Sequence, residues 1–131
     1  MNSLVPKLKT VEQRLSKKKG RFWIFALLQR EDSSGKWDLL VSAAWLQEED
    51  RQSLDHIIAA LEQEFDRDDF LHLSRIVVLN PDNPMVQELS LAFSQEHRPT
   101  FIQNITVNGM QFVQGVIITS RRPEADLAAA P

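Results

Sequence analysis

The strongest constraint on the fold is a run of seven apolar residues at positions 22–28, Phe-Trp-Ile-Phe-Ala-Leu-Leu. The run is too short for a buried helix, and a helix that crosses a membrane needs roughly 20 such residues. Its odd and even positions are both apolar, which is typical of a central strand covered on both faces. The chain must therefore place further layers of structure above and below this strand.

Two hairpins are predicted around this strand and near the end of the chain. Turn-forming residues at 32–35 separate the first strand from a second one at 37–43. The Asn108-Gly109 dipeptide separates strand-like runs at 101–107 and 110–119, and Asn-Gly is the strongest short hairpin signal. Each pair of strands is expected to be antiparallel.

Three segments show apolar residues at helical spacing. The first spans about 3–19, the second opens with the acidic residues at 48–50, and the third follows Asn83-Pro84, which is typical of an N-cap and first helical residue. A short apolar strand is predicted at 76–79. The second stripe consists of Leu54, Ile57, Ile58, Leu61 and Phe65, and the third of Met85, Leu89, Ala92 and Phe93.

The order α-β-β-α-β-α-β-β predicts a mixed α/β (α+β) fold with a single mixed sheet of about five strands, two antiparallel hairpins and three helices. Strands joined through a helix are normally parallel, with a right-handed crossover. We expect one globular domain over residues 1–121, a length that one hydrophobic core can serve. Residues 122–131 lack a core-forming pattern and are predicted to form a frayed tail.

Charge is distributed unevenly along the chain, whose formal net charge is −3. Residues 1–21 contain seven Lys and Arg against one Glu, which gives 7 − 1 = +6, and residues 48–69 contain two Arg against nine Asp and Glu, which gives 2 − 9 = −7. These blocks can face each other within the fold, meet across two copies or bind separate partners. The chain has no cysteine, and no apolar block of signal-peptide type precedes Gly20, so we expect a cytoplasmic protein without membrane contact.

No motif for catalysis, cofactor binding or metal binding is present in the sequence. Four glycines form neither a phosphate-binding loop nor a dinucleotide fingerprint, and no serine has the Gly-x-Ser-x-Gly context. Asp68, Asp69 and His72 have helical spacing but lack fixed metal-ligand spacing, which favours a solvated acidic turn. We therefore expect no catalytic residue, no metal and no cofactor, and we lean against an enzyme.

One candidate ligand site follows from topology, because ligands of open α/β sheets bind beyond the carboxyl ends of parallel strands. Here those ends carry Trp45, which can stack on a ligand, and polar groups that can hydrogen-bond one. The alternative is that these residues only form turns and a helix cap. The candidate residues are Ser42, Trp45, Asn80, Asp82 and Asn83.

A candidate nucleic-acid site is the basic cluster Lys17, Lys18, Lys19 and Arg21, since such runs bind phosphates without reading sequence. The acidic net charge and the absence of exposed aromatic residues between the lysines weigh against this hypothesis.

The candidate interface is the stripe Leu4, Leu8, Val11 and Leu15 on the first helix. Its 3.5-residue period is narrower than the apolar face of a helix that lies on a sheet, so we expect it to contact a second copy, near residues 48–69 of that copy. The alternative is docking on the chain's own sheet.

The leading functional hypothesis is a noncatalytic protein-interaction or regulatory module that self-associates or binds a partner protein. The alternatives are a small-molecule or nucleotide-binding enzyme domain that uses the strand-end loops, and a nucleic-acid accessory protein that uses the lysine run.

Overall fold

The computed structural model describes residues 4–123, which form one mixed five-stranded sheet with helices on both faces. The spatial order of the strands is β3-β2-β1-β5-β4. The elements are α1 (Leu4–Lys18), β1 (Phe22–Arg30), β2 (Trp37–Ala43), α2 (Arg51–Glu64), α3 (Arg67–Leu71), β3 (Leu73–Val78), α4 (Pro84–Ala92), β4 (Thr100–Val107) and β5 (Met110–Ser120).

The predicted fold class is confirmed, with one helix more than expected. The additional helix, α3, has only five residues and is stabilised by a capping box in which Asp66 and Asp69 each accept a hydrogen bond from the other's backbone N–H. The predicted frayed tail falls largely on residues 124–131, which lie outside the described residues. No helix within residues 4–123 is both long enough and apolar enough to cross a membrane.

The central strand of the sheet is β1, as the apolar run predicts. It pairs antiparallel with β2 on one side and with β5 on the other, and its residues 22–29 are all buried. The second hairpin, β4–β5, turns at Asn108 and Gly109, whose φ angles of 51° and 76° are those of the turn that Asn-Gly favours. Both predicted hairpins are therefore confirmed.

The strand β3 differs from its prediction. It pairs parallel with β2, as a strand reached through a crossover helix should, but it is the edge of the sheet. Its residues are half-buried or exposed instead of fully covered. The apolar pattern of this segment resembles that of a central strand, although one of its long sides has no neighbouring strand within residues 4–123.

The two faces of the sheet carry separate cores. On one face, α1 and α2 cover a core that contains Phe22, Phe25 and Leu61. On the other face, α4 covers Ile24, Ala26 and Leu28 through its buried Val86 and Leu89. The alternation of β1 between these cores explains why both of its faces are apolar.

The two oppositely charged blocks meet within one chain. Lys7 Nζ lies 2.5 Å from Asp69 Oδ2, and Arg14 Nη2 lies 2.8 Å from Glu64 Oε1. The contact with Lys7 lowers the pKa of the Asp69 carboxyl, since the ammonium group stabilises its charged form. The sequence left three arrangements of the two charged blocks open. The structure contains the one in which the blocks face each other within a single chain.

Candidate functional site

A groove lies between α2 and the edge strand β3. It encloses about 460 Å³. Its floor consists of apolar side chains from both elements, and all of them are half-buried. The floor residues are Leu54, Ile58, Ile76 and Val78.

The rim of this groove is acidic at the end where α2 begins. Glu49, Asp50 and Asp55 supply three carboxylates there, against the single guanidinium of Arg51. Asp50 is also the N-cap of α2, where its side chain accepts hydrogen bonds from Gln52 N and Ser53 Oγ. Because β2 and β3 are parallel and α2 runs back between them, the acidic end of the groove lies near Val78, at the carboxyl end of β3.

The outer edge of β3 borders the groove. The strand has six residues, Leu-Ser-Arg-Ile-Val-Val, and it contains neither proline nor lysine, the residues that commonly block pairing at sheet edges. By contrast, the other edge strand, β4, has a residue with left-handed backbone in its middle, Asn104 with a φ of 50°, although its register with β5 is the same on both sides of this residue. The β3 edge is thus the better surface for an additional strand.

The predicted strand-end residues are held mainly by internal contacts. Glu48 joins the two loops, since its Oε1 accepts hydrogen bonds of 3.0 Å from Asn80 N and from Asn83 Nδ2, and its own N–H donates to Asn80 Oδ1. These donors, the Asn80 backbone above all, lower the pKa of the Glu48 carboxyl. Asn83 is the N-cap of α4, and Asp82 is exposed.

Trp45 and Ser42 also have structural surroundings. The indole Nε1 of Trp45 donates a 2.9 Å hydrogen bond to Gly20 O, and its ring packs edge-on against Phe22 and His56. Ser42 is 0% exposed, and its Oγ has no hydrogen-bond partner within the described chain. Neither residue, nor any of the three from the β3–α4 loop, lines the groove or the other clefts described here. A ligand site at the strand ends stays a prediction, and the turn-and-cap alternative accounts for the observed contacts.

The residues of the basic cluster have different surroundings. Lys17, Lys18 and Lys19 are exposed at the end of α1, whereas Arg21 forms a bidentate pair with Glu96 at 2.8 and 2.7 Å. All four predicted phosphate-binding side chains therefore lie on the surface, but that of Arg21 is paired with a carboxylate. Nucleic-acid binding by this run stays a prediction.

The predicted interface stripe lies in the core of the single chain. Leu4, Leu8, Val11 and Leu15 are between 0% and 5% exposed, packed between the sheet and α2. These four side chains are therefore already buried in a single chain. Their packing is that of the alternative, in which the stripe docks on the chain's own sheet. The reason is that α1 lies against both the sheet and a neighbouring helix, so its narrow stripe is enough to anchor it. Self-association through another surface stays a prediction.

No protein-family model, no characterised protein and no solved structure matches this chain.

The groove was missed in the sequence because its residues carry ordinary signals. Leu54 and Ile58 belong to the predicted buried stripe of α2, and they become a groove floor only because β3 is an edge strand. The excess of acidic residues at 48–69 is visible in the sequence. Negative charge alone, however, does not distinguish residues that form internal ion pairs from residues that line the rim of a groove. Asp69 turns inward to Lys7, while Asp55 stays exposed beside the groove.

Proposed function

We propose that this protein is a noncatalytic protein-interaction module, and that its α2–β3 groove binds an extended, basic and apolar segment of a partner protein. The observation that supports this proposal is the combination of an apolar floor, an acidic rim and an unpaired strand edge in one surface. The partner segment adds to β3 as a further strand, which is a common mode of peptide recognition.

The arrangement of the groove defines the chemistry of the segment. Side chains of an added strand alternate between the two faces, so that every second residue faces α2. Aliphatic side chains at those positions contact Ile76 and Ile58, and a Lys or Arg further along reaches Asp55 and Glu49. The apolar contacts supply most of the binding free energy, and the carboxylates select basic segments over acidic ones.

A different protein is a better occupant than a second copy of this chain. The cluster of exposed lysines in this chain lies at the end of α1 and the residue that follows it, where the backbone groups already form helical hydrogen bonds, and the other exposed lysine within residues 4–123, Lys36, lies in the β1–β2 turn. A helical segment cannot pair with the edge of β3. We further propose a cytoplasmic site of action, which is supported by the cysteine-free sequence.

Fluorescence anisotropy with a labelled synthetic octapeptide tests the proposal. Every second residue of the peptide is threonine, and the four positions between the threonines are two valines followed by a lysine and an arginine. A matched acidic peptide has glutamate in place of the lysine and the arginine. We expect the basic peptide to bind and the acidic one to bind at least about tenfold more weakly. Asp55→Lys is expected to weaken the basic peptide and to strengthen the acidic one.

Glu31→Lys is the matched control, because it makes a similar charge change at an exposed residue of the β1–β2 turn. It should leave both affinities nearly unchanged. Equal effects of the two variants would show that the peptide responds only to net charge. If light scattering instead gives a dimer that Asp55→Lys dissociates, the occupant is a second copy and the proposal of a separate partner is wrong.

A further inference from the structure

Away from the groove, a buried carboxylate on α1 holds a histidine at the wall of a second cleft. Glu12 is 0% exposed. Its Oε1 lies 2.5 Å from His97 Nδ1, and its Oε2 accepts a 2.9 Å hydrogen bond from Thr119 Oγ1. The Thr119 hydroxyl also accepts a 3.1 Å hydrogen bond from the backbone N–H of His97. The three residues thus form a closed network between α1, β5 and the segment that precedes β4.

This network is costly as a purely structural device. The Glu12 carboxyl group contacts His97 and Thr119, and removing a carboxylate from water carries a penalty of several kcal/mol. The backbone of His97 has a φ of 57°, in the left-handed region that residues other than glycine rarely occupy. Strained backbone and buried charge are concentrated at functional sites. Their coincidence at His97 points to a role for its side chain.

The network also fixes the orientation of the ring. Oε2 of Glu12 accepts from Thr119 and Oε1 lies against His97 Nδ1, so Nδ1 is occupied by the carboxyl group and Nε2 is the ring nitrogen left for a ligand. The side chain of His97 is 36% exposed, whereas that of Glu12 is fully covered. Carboxylates that hold one ring nitrogen in this way orient the other in many catalytic and ligand-binding histidines.

The cleft beside His97 is polar and cationic. It encloses about 410 Å³ and is lined by Thr10, Gln13, Arg14, Ser16, Lys17 and His97. Lys17 is exposed, and no carboxylate of residues 4–123 lies within ion-pair distance of its Nζ. Glu96 comes within 3.8 Å of His97 Nε2, but Arg21 pairs with that carboxylate in a bidentate fashion and offsets its charge.

We propose that this cleft binds the phosphate group of a small phosphorylated molecule, with His97 Nε2 and Lys17 contacting the phosphate oxygens and Glu12 acting as a positioning residue. A phosphomonoester titrates near neutral pH, so its P–OH can donate to Nε2, and its anionic oxygens can accept from Lys17 and Gln13. The site is separate from the α2–β3 groove and does not depend on the proposed peptide binding.

Nuclear magnetic resonance of the three histidine rings in isotope-labelled full-length protein tests this inference. The probes are inorganic phosphate and phenyl phosphate, titrated at constant ionic strength. We expect saturable shifts of the His97 ring signals with both probes, while His56 and His72 serve as internal references. Lys17→Gln should weaken phenyl phosphate binding at least about fivefold, which tests the charge that Lys17 contributes. Lys36→Gln, in the exposed β1–β2 turn, is the matched control and should leave binding unchanged.

A second variant tests the positioning role of Glu12. Glu12→Gln keeps the size of the side chain but replaces one carboxylate oxygen with an amide nitrogen that can donate, so the hydrogen bond at His97 Nδ1 and the ring nitrogen signals should change. Its phosphate affinity should fall while the thermal transition stays cooperative. If the His97 signals do not move at tens of millimolar phosphate, the inference is wrong. A single-stranded oligonucleotide provides a second test. If it binds equally well to the wild type and to the His97→Gln variant, the inference is also wrong, because the lysines at 17–19 then bind nucleic-acid backbones nonspecifically.

Discussion

Two leucines of the same helical stripe should respond very differently to truncation. Leu61 is 0% exposed inside the core under α2, whereas Leu54 is half-buried on the floor of the groove. Leu61→Ala removes three buried carbon atoms, which lowers the free energy of unfolding by about 2.4 kcal/mol from transfer alone and by up to about 5 kcal/mol with the cavity. Leu54→Ala removes the same atoms from a surface already in contact with water, so we expect a loss of about 1 kcal/mol.

Thermal unfolding followed by circular dichroism, with urea titration as a check on cooperativity, measures this difference. For a chain of this length, each kcal/mol lowers Tm by about 3–5 °C, so Leu61→Ala should lower it by at least about 7 °C and Leu54→Ala by about 3–5 °C. The Leu54→Ala variant should nevertheless lose peptide affinity, while its fold is retained. If the two variants lose equal stability, Leu54 belongs to a closed core and the groove is not an open surface. A negligible loss for Leu61→Ala would mean that α2 does not pack on the sheet as described.

Three further outcomes are expected. Gly115→Ala should lower the free energy of unfolding by about 1–3 kcal/mol, because its Cβ would lie 2.6 Å from Leu28 Cδ2 and 3.0 Å from Leu27 O; an unchanged urea midpoint would contradict this packing. Gly109→Ala should cost about 1 kcal/mol from backbone strain at φ 76° alone, since no atom lies within 4 Å of the added Cβ, and thermal unfolding checks this value. Because Lys7 lowers the pKa of Asp69, the stabilisation by this carboxylate is complete above the ordinary aspartate pKa of about 3.9 and is lost as the pH falls through the lower folded value. Asp69→Asn should therefore be less stable than the wild type at neutral pH and approach it in acid, and a difference that is constant with pH would contradict the assignment.

Local patterns predicted most of the secondary structure. The apolar run at 22–28 and the Asn108-Gly109 turn identify a central strand and a hairpin from neighbouring residues alone. Strand order depends instead on pairing between distant segments, so the edge position of β3, and with it the groove, was not predictable. The same limit applies to charge, because the pairing of Lys7 with Asp69 requires α1 and α3 to be adjacent.

The position of Glu12 in the sequence is informative about burial but not about its partners. It lies four residues after Leu8 and three before Leu15, which is a core position on a helix, and a carboxylate there indicates an internal partner. Its partners His97 and Thr119 are 85 and 107 residues away in the chain. The spacing of Glu12 is compatible with a buried position, which we did not predict from the sequence, and only the fold identifies what the carboxylate contacts.

A chemical-shift map of the backbone amides with the basic octapeptide tests whether the α2–β3 groove is the binding surface. We expect the largest changes at residues 49–58 and 73–78, along both walls of the groove, and we expect the outward-facing amides of β3 to become protected from hydrogen exchange. The acidic peptide should produce neither effect. Changes confined to α1, to the β4 edge or to the strand-end loops would contradict the assignment of the α2–β3 groove as the binding surface.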